Sequence, residues 1–301
     1  MGMPTAFRVS TSLIVLMLAL TGCKPEHDMS NLPNIILICI ESVRADHLGC
    51  YGYDRDTSPV MDSLAASGVL WNRCLSQSPA TMPSFASIWT GLSPEAHRTG
   101  LYDGSLHPLD SSLPTIASVL QSWGYQTVGF MRGGITGSRF GFDKGFDVFG
   151  ASTNENDRAS GVMTKTLEWL GSRRVRDERF LIIMHCYDPQ PPYDPLEPFR
   201  SMWADSTSDS LTGWWSLAGD SLENPGEAVL LTDLYDGEIR SVDDQIGILC
   251  AYLRSSGLAD STILIITSDH GEEFLDHGWI GHSHSLHQEL LHVPLIISGP
   301  G

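Results

Sequence analysis

Asn34-Ile35-Ile36-Leu37-Ile38-Cys39-Ile40-Glu41 is the stretch on which the fold turns. Six apolar residues follow one another without the polar alternation of a half-exposed strand. Such a run suits a strand covered on both faces, as in parallel sheets flanked by helices. Residues 179–185 (RFLIIMH) and 262–267 (TILIIT) have the same character, and 126–131 and 293–297 read as further strands. Between them lie helical signals. Ser58-Pro59 opens a helix through Ala66, with Pro at its first position and Gly68 beyond its end. Residues 83–90 form a short helix stopped by Gly91, and Leu113-Pro114 starts another that runs to Trp123 before Gly124. Residues 161–170 read as helical. In 228–255, Leu231, Leu234, Ile239, Val242, Ile246, Leu249 and Leu253 recur at the spacing of one helix face. Strands alternating with helices predict an α/β domain around a largely parallel sheet.

The chain has 301 residues, enough for one large domain with a sizeable core or two small ones. Its 36 acidic residues exceed its 18 basic ones, giving a net charge of −18 spread along the chain. A basic surface is what phosphate-backbone binding needs, so nucleic acid is excluded as an expected partner. Residues 188–225 form a polar stretch rich in Pro, Ser, Asp and Trp. It reads as a substrate-facing excursion, favoured by Trp203, Trp214 and Trp215, or as an insertion.

The first 22 residues differ from the rest. Arg8 precedes an apolar run over 12–20 (SLIVLMLAL) that is too short to span a bilayer as a mature helix. It ends in Leu20-Thr21-Gly22-Cys23, which resembles a bacterial lipoprotein signal with cleavage before Cys23 and acylation of its sulfur. A plain secretory signal or an uncleaved anchor is the alternative. On the lipoprotein reading, 1–22 is a signal peptide, 23–32 a polar tether and 33–301 the catalytic domain. The protein is then exported and held to a membrane by an N-terminal lipid, in the periplasm or on the cell surface. The mature chain would carry 17 basic and 36 acidic residues. Cys39, Cys50, Cys74, Cys186 and Cys250 show no CxxC pairing, which argues against a zinc knuckle, and their odd number leaves at least one free thiol.

Ligands of open α/β sheets bind beyond the carboxyl ends of the strands. The first strand runs into Glu41, the strand at 262–267 into Ser268-Asp269-His270, and the strand at 179–184 into His185. Carboxylate and imidazole at neighbouring strand ends suit a hard or borderline cation: Mg²⁺, Ca²⁺, Mn²⁺ or Zn²⁺. Six of the eleven histidines fall between His270 and His292, which strengthens that expectation. Thr81 lies just ahead of the helix expected from Pro83. There the helix N-terminus would favour a phosphate or sulfate group and a developing oxyanion. The bland alternative makes Thr81 an N-cap and nothing more.

Several ordered segments carry a family resemblance. Residues 33–52 (PNIILICIESVRADHLGCYG) resemble the opening strand and metal loop of the sulfatase branch of the alkaline phosphatase superfamily. Residues 81–91 (TMPSFASIWTG) lie where that family carries its nucleophile motif. The segments 139–147 (RFGFDKGFD), 185–193 (HCYDPQPPY), 234–247 (LYDGEIRSVDDQIG), 267–273 (TSDHGEE) and 281–300 (GHSHSLHQELLHVPLIISGP) match in order. The resemblance implies an alkaline-phosphatase-like sandwich, a mixed, largely parallel sheet flanked by helices. It also implies a smaller C-terminal subdomain that this chain, ending at Gly299-Pro300-Gly301, is expected to lack. Glu41 resembles the first metal aspartate, and Ser42 stands where many sulfatases have a second. Thr81 takes the nucleophile position, Asp269 and His270 the later metal pair, and His282 a histidine that binds metal or oxyanion in related phosphatases. Arg44 is a candidate for oxyanion stabilisation or, equally, an ion-pair partner of Asp46.

Formylglycine conversion needs Cys or Ser followed by Pro and Arg at fixed spacing; here Thr81 and Phe85 depart from it, and Gln190 replaces a sulfate-contacting histidine. The set is similar to phospho-transferring relatives, lipoteichoic acid synthases and phosphoethanolamine transferases, which use a metal-bound threonine. The resemblance therefore implies a metal-dependent hydrolase or transferase of a phosphate or sulfate ester, with a small-molecule, glycan or lipid ester as substrate. It implies one divalent ion held by Glu41, Thr81, Asp269 and His270, and allows a second. A non-catalytic surface lipoprotein of the same fold and a formylglycine-type sulfuric ester hydrolase are the rival readings.

Overall fold

The computed structural model describes residues 32–152, 158–173, 178–204 and 225–300. The leader, Cys23 and nearly all of the tether lie outside the described residues, as do Trp214 and Trp215. Among the described residues no helix is long and apolar enough to cross a membrane.

Seven strands form the central sheet: β1 (Asn34–Ile40), β2 (Val69–Leu70), β3 (Gln126–Arg132), β4 (Val148–Ser152), β5 (Phe180–Cys186), β6 (Thr262–Ser268) and β7 (Leu295–Ser298). Their order is β2-β7-β6-β1-β5-β3-β4. The five strands β6, β1, β5, β3 and β4 run parallel, while β7 is antiparallel to both β6 and β2. The sheet is thus mixed and mostly parallel.

The five longest helices are α1 (Pro59–Ser67), α2 (Thr81–Thr90), α3 (Ile116–Ser122), α4 (Ala159–Ser172) and α5 (Pro225–Ser255). The continuous apolar character of β1 has a direct use. Ile36, Ile38 and Ile40 join one core with Met61 of α1, Val162 of α4 and the Leu231–Leu253 stripe of α5. Leu37 and Cys39 enter the opposite core with Phe85 and Trp89 of α2 and Leu120 of α3. Burying one such large side chain stabilises by about 1.5–3 kcal/mol, so the stripe on α5, more than helix propensity, fixes that helix to the sheet.

Several boundaries differ from the sequence reading. Helix α2 begins at Thr81, two residues early, because a helix's first turn has no intrahelical acceptors for its N–H groups and so tolerates Pro83. Helix α3 begins after Leu113-Pro114, at Ile116, because Thr115 and Ser118 form a reciprocal capping box. The final strand is broken at Pro294: His292–Val293 pairs with Cys74–Leu75, and Leu295–Ser298 crosses to β6. The five described cysteines are all free thiols, with Cys39, Cys186 and Cys250 buried.

Register positions the chemistry. Ile40 lies opposite Ser268 on one side and Cys186 on the other. The residues that follow, Glu41 and Asp269, therefore leave the sheet side by side, with His185 one step back on β5.

Candidate active site

Glu41, Thr81, Asp269 and His270 meet at the carboxyl end of the sheet, and all four are buried. The loop after β1 is held by a set of cross-links. The Val43 N–H donates to Ser268 Oγ at 2.8 Å, the Arg44 N–H to the Tyr235 hydroxyl at 2.9 Å, and that hydroxyl donates to the Ser42 carbonyl at 2.8 Å. Ser42 itself adopts φ 56°, a left-handed conformation that costs a non-glycine residue energy and recurs at functional sites. From there its N–H donates to Asp269 Oδ1 at 3.1 Å.

Helix α2 is tied to the same segment. The hydroxyls of Ser84 and Ser76 both donate to the Asp269 carbonyl, that of Ser84 at 2.5 Å. This anchors the first turn of α2 against the Asp269-His270 segment and sets Thr81 over the carboxylates. Ala80, with extended backbone, is the N-cap, so the Thr81 hydroxyl has no capping role. It donates instead to Glu41 Oε1 at 2.6 Å and lies 3.1 Å from His270 Nε2.

The charges around that hydroxyl are unbalanced in a telling way. Burial would raise the Glu41 carboxyl, but hydrogen bonds and charge from His185 and His270 outweigh it and hold Glu41 well below the usual carboxylate range. Burial pushes Asp269 up, and the neighbouring Glu41 charge adds to it, reaching about 6. Burial works against a charged His270, yet Asp269 and Glu41 overcome it and lift the imidazole to about 10. Two carboxylates in one dry pocket demand positive charge. A protonated His270 can supply it, and so can a cation.

The donor set fits a cation. One ligand atom each from Glu41, Asp269 and His270 lie within 4.8 Å of one another. Asp269 Oδ2 is buried with no hydrogen-bond partner, 3.3 Å from His270 Nε2. His270 Nδ1 donates to the Gly271 carbonyl at 2.8 Å, which leaves Nε2 as the lone-pair nitrogen facing the carboxylates when the ring is neutral. Carboxylate oxygens with an imidazole nitrogen suit a divalent ion.

Around this centre lie residues that the sequence reading placed less well. His185, inside β5, sets Nε2 2.5 Å from Glu41 Oε2, and Phe85 packs edge-on against its ring at 4.3 Å. Phe85 thus props a histidine at the position of the family arginine. His282 stacks on His270 with ring centroids 4.4 Å apart, and its Nδ1 lies 2.8 Å from Glu272 Oε1. The other Glu272 oxygen accepts from the Tyr193 hydroxyl at 2.8 Å. Glu272 was not singled out from the sequence, where it is one acidic residue in a pair. Arg132, the last residue of β3, lies over the Tyr187 ring at 3.7 Å, and that ring is 6.1 Å from His185. It follows an apolar strand, as Glu41 does, and the same strand-end rule would have found it.

Arg44 is placed differently. Its guanidinium pairs with both oxygens of Asp46, at 2.9 and 2.8 Å, and with Asp276 at 2.9 Å, and it donates to the Glu272 carbonyl. The ion-pair reading of Arg44 is the one these contacts match: its hydrogen bonds hold the loop after β1 to the 272–276 segment. Gln190 accepts from the Ser42 hydroxyl at 2.8 Å. Of the remaining clustered histidines, His277 and His287 face Glu289, His284 faces Glu273, and His292 lies near the Asn72 carbonyl.

An alkaline-phosphatase-like α/β sandwich with acid, imidazole and hydroxyl gathered at its strand ends defines the class of the molecule. The chain belongs to the sulfatase family, whose family model matches residues 33–301. It is 26% identical to an arylsulfatase of Clostridium perfringens over 89% of this chain and 69% of that protein. Across three curated relatives the chain spans 58% to 69% of their length. Among solved structures it is similar to the phosphonate monoester hydrolase of Agrobacterium radiobacter, with a TM-score of 0.72 and 21% identity, over 89% of this chain and 68% of that one. It is also similar to the C-terminal periplasmic domain of EcEptC from Escherichia coli, in complex with Zn. That match has a TM-score of 0.69 and 18% identity, covering 91% and 74% of the two chains. These structural likenesses establish the fold.

Proposed function

We propose that the protein is a divalent-metal-dependent ester hydrolase or transferase that uses the Thr81 hydroxyl as its nucleophile, with phosphate-type esters preferred over sulfate. The observation that carries this reading is the Thr81 hydroxyl, uncommitted to capping, within hydrogen-bond reach of both Glu41 and His270. Glu41, Asp269 and His270 would hold the ion, with Thr81 as a further ligand. A divalent cation bound there supplies Lewis-acid activation of a hydroxyl and neutralises non-bridging ester oxygens.

The chain's own residues do the rest. Thr81 gives up its proton to solvent, and its oxygen attacks the phosphorus or sulfur atom. The first turn of α2 presents N–H groups toward the transferred group, where they favour its negative charge. His282, oriented by Glu272, stabilises an oxygen of that group, and the alcohol departs with its electron pair, taking up a proton from solvent. Water or a second alcohol then attacks the Thr81 ester and restores the hydroxyl. The preference for phosphate rests on Thr81 and Phe85. A threonine has no route to formylglycine aldehyde, and Phe85 fills the position of the motif arginine with an apolar ring against His185. Small-molecule, glycan and lipid esters are the candidate substrates.

We also propose export, with a lipid on Cys23 as the membrane anchor. The support is the Arg8, apolar run and Leu20-Thr21-Gly22-Cys23 order of the leader.

Assays on p-nitrophenyl phosphate, a bis-ester of phosphate and p-nitrophenyl sulfate, each with added Mg²⁺, Ca²⁺, Mn²⁺ or Zn²⁺, test the reading. Turnover of a phosphate ester is expected to require one of these ions and to fall by about 10³-fold or more in Thr81→Ala, the scale at which a lost nucleophile acts. Undiminished turnover in Thr81→Ala would refute the mechanism. Absence of both metal binding and turnover would favour a non-catalytic lipoprotein.

A further inference from the structure

A second group of metal-type ligands lies outside the Thr81 centre. Glu273, His277, His287 and Glu289 each offer one donor atom within 4.8 Å of all the others. Glu273 and Glu289 are buried, whereas the His277 and His287 side chains are about half exposed. The buried acids thus sit beneath an imidazole pair that solvent, and an incoming ion, can reach.

The local geometry favours a shared cation. The His277 and His287 rings lie face to face with centroids 3.6 Å apart and planes 34° from parallel. Both turn Nδ1 toward the same atom, Glu289 Oε1: His277 in close contact and His287 at 3.6 Å. Two imidazolium rings stacked so closely would repel each other. Two neutral rings directing lone pairs at one ion, with a carboxylate beside them, are mutually compatible. Glu273 completes the set. Its Oε1 accepts the His277 and Trp279 N–H groups at 2.8 and 3.0 Å, and its Oε2 lies 2.8 Å from His284 Nε2. A carboxylate has about four acceptor positions, so one remains for a metal, and the existing partners orient the group as outer-shell contacts do at metal sites.

We propose that Glu273, His277, His287 and Glu289 form a second divalent-cation site, separate from the Thr81 centre and of the zinc class. Two imidazoles and two carboxylates match zinc's ligand preferences and its usual count of four. The ion staples two elements together. His277 lies in the loop joining the paired segments Glu273–Phe274 and Ile280–Gly281, while His287 caps the short helix Gln288–Leu291 that carries Glu289. That helix also accepts the Gly271 N–H at the Leu290 carbonyl, 2.9 Å away, directly after His270. Occupancy of the second site therefore braces the segment that delivers His270, Glu272 and His282. The site does not depend on the catalytic reading of Thr81.

Zinc titration of the full chain by calorimetry, with elemental analysis after dialysis, decides the matter. The unmodified protein is compared with His287→Ala, a half-exposed position whose truncation spares the core, and with Asp269→Asn. The expected result is that His287→Ala binds one zinc equivalent fewer than the unmodified protein, or binds that equivalent at least about tenfold more weakly. Asp269→Asn is expected to retain that equivalent. Equal zinc content and affinity in the unmodified protein and His287→Ala would overturn the proposal, whatever the Thr81 centre does. Loss of all zinc in Asp269→Asn would overturn it as well.

Discussion

At the scale of single residues, the site depends on how each polar atom is shared. The Thr81 hydroxyl is left to face Glu41 and His270 because Ala80 takes the capping position and because Ser84 and Ser76 hold the Asp269 carbonyl that places α2. Glu272 acts one step removed, setting the ring of His282 through its Nδ1 while the Tyr193 hydroxyl holds its other oxygen. Glu272→Gln keeps the shape and removes the charge. Loss of such an outer contact is expected to lower kcat about 10–100-fold, with KM changing far less. Steady-state kinetics on the best phosphate ester check this; an equal rise in KM with kcat intact would assign Glu272 to substrate binding instead. Much of this layer was legible in the sequence. Glu41, Asp269 and His270 stand directly after apolar strands, and strand ends are where such sheets place ligands. His185 was visible as a strand-end imidazole, but its bond to Glu41 was not, because pairing across β1 and β5 is set by register. Spacing alone could not rank the six clustered histidines; His270 stood out by its strand end and His282 by the family resemblance. On either side of the turn at 275–279, His282 stacks on His270 while His277 faces Glu289.

At the scale of elements, α1 shows how a buried charge serves architecture. Asp243 on α5 accepts the Val60 and Met61 N–H groups at 2.9 and 2.8 Å, so a side chain from another helix satisfies the N-terminus of α1. Burial raises the Asp243 carboxyl from 3.8 to about 6. Between those values the folded chain holds a proton that the unfolded chain has released. Its contribution to stability therefore falls as pH rises through that window, by an amount on the order of 3 kcal/mol. Asp243→Asn removes the titration. Urea unfolding at about pH 4.5 and pH 6.5 is expected to show a smaller stability loss over this range in the variant than in the unmodified protein. Equal losses would contradict the assignment. The sequence marked α1 through Ser58-Pro59 and Gly68, and α5 through its apolar stripe, because those signals are local. The link from Asp243 to α1 spans more than 180 residues and leaves no local mark. The two-residue error at α2 has the same root: Pro83 signals a first turn without saying which of its positions it fills.

At the scale of the whole molecule, the carboxyl end of the sheet collects two buried carboxylates, Glu41 and Asp269, whose charge a protonated His270 or a bound cation can balance. Ions that bind only the folded chain raise its stability by mass action, by about 2.7 kcal/mol at a hundredfold excess over Kd. Chelation by EDTA is accordingly expected to lower the thermal midpoint of the unmodified protein, and the Glu41→Gln/Asp269→Asn variant should show a smaller drop. Scanning calorimetry with and without EDTA provides the comparison, and an identical drop in both proteins would remove the ion from the Thr81 centre. The alternation of buried strands with helices made the α/β class readable from the sequence. The order of the strands was not, since nothing in residues 126–131 states that they lie two positions from β1.

The central claim is that the Thr81 oxygen becomes covalently bonded to the transferred group. Mass spectrometry of acid-quenched protein, sampled during turnover of a phosphate ester with its supporting ion, reads this directly. The account predicts one added phosphoryl group on the peptide containing Thr81, absent in Thr81→Ala. A phosphoryl group on any other residue, or steady turnover by Thr81→Ala with no adduct, would contradict it.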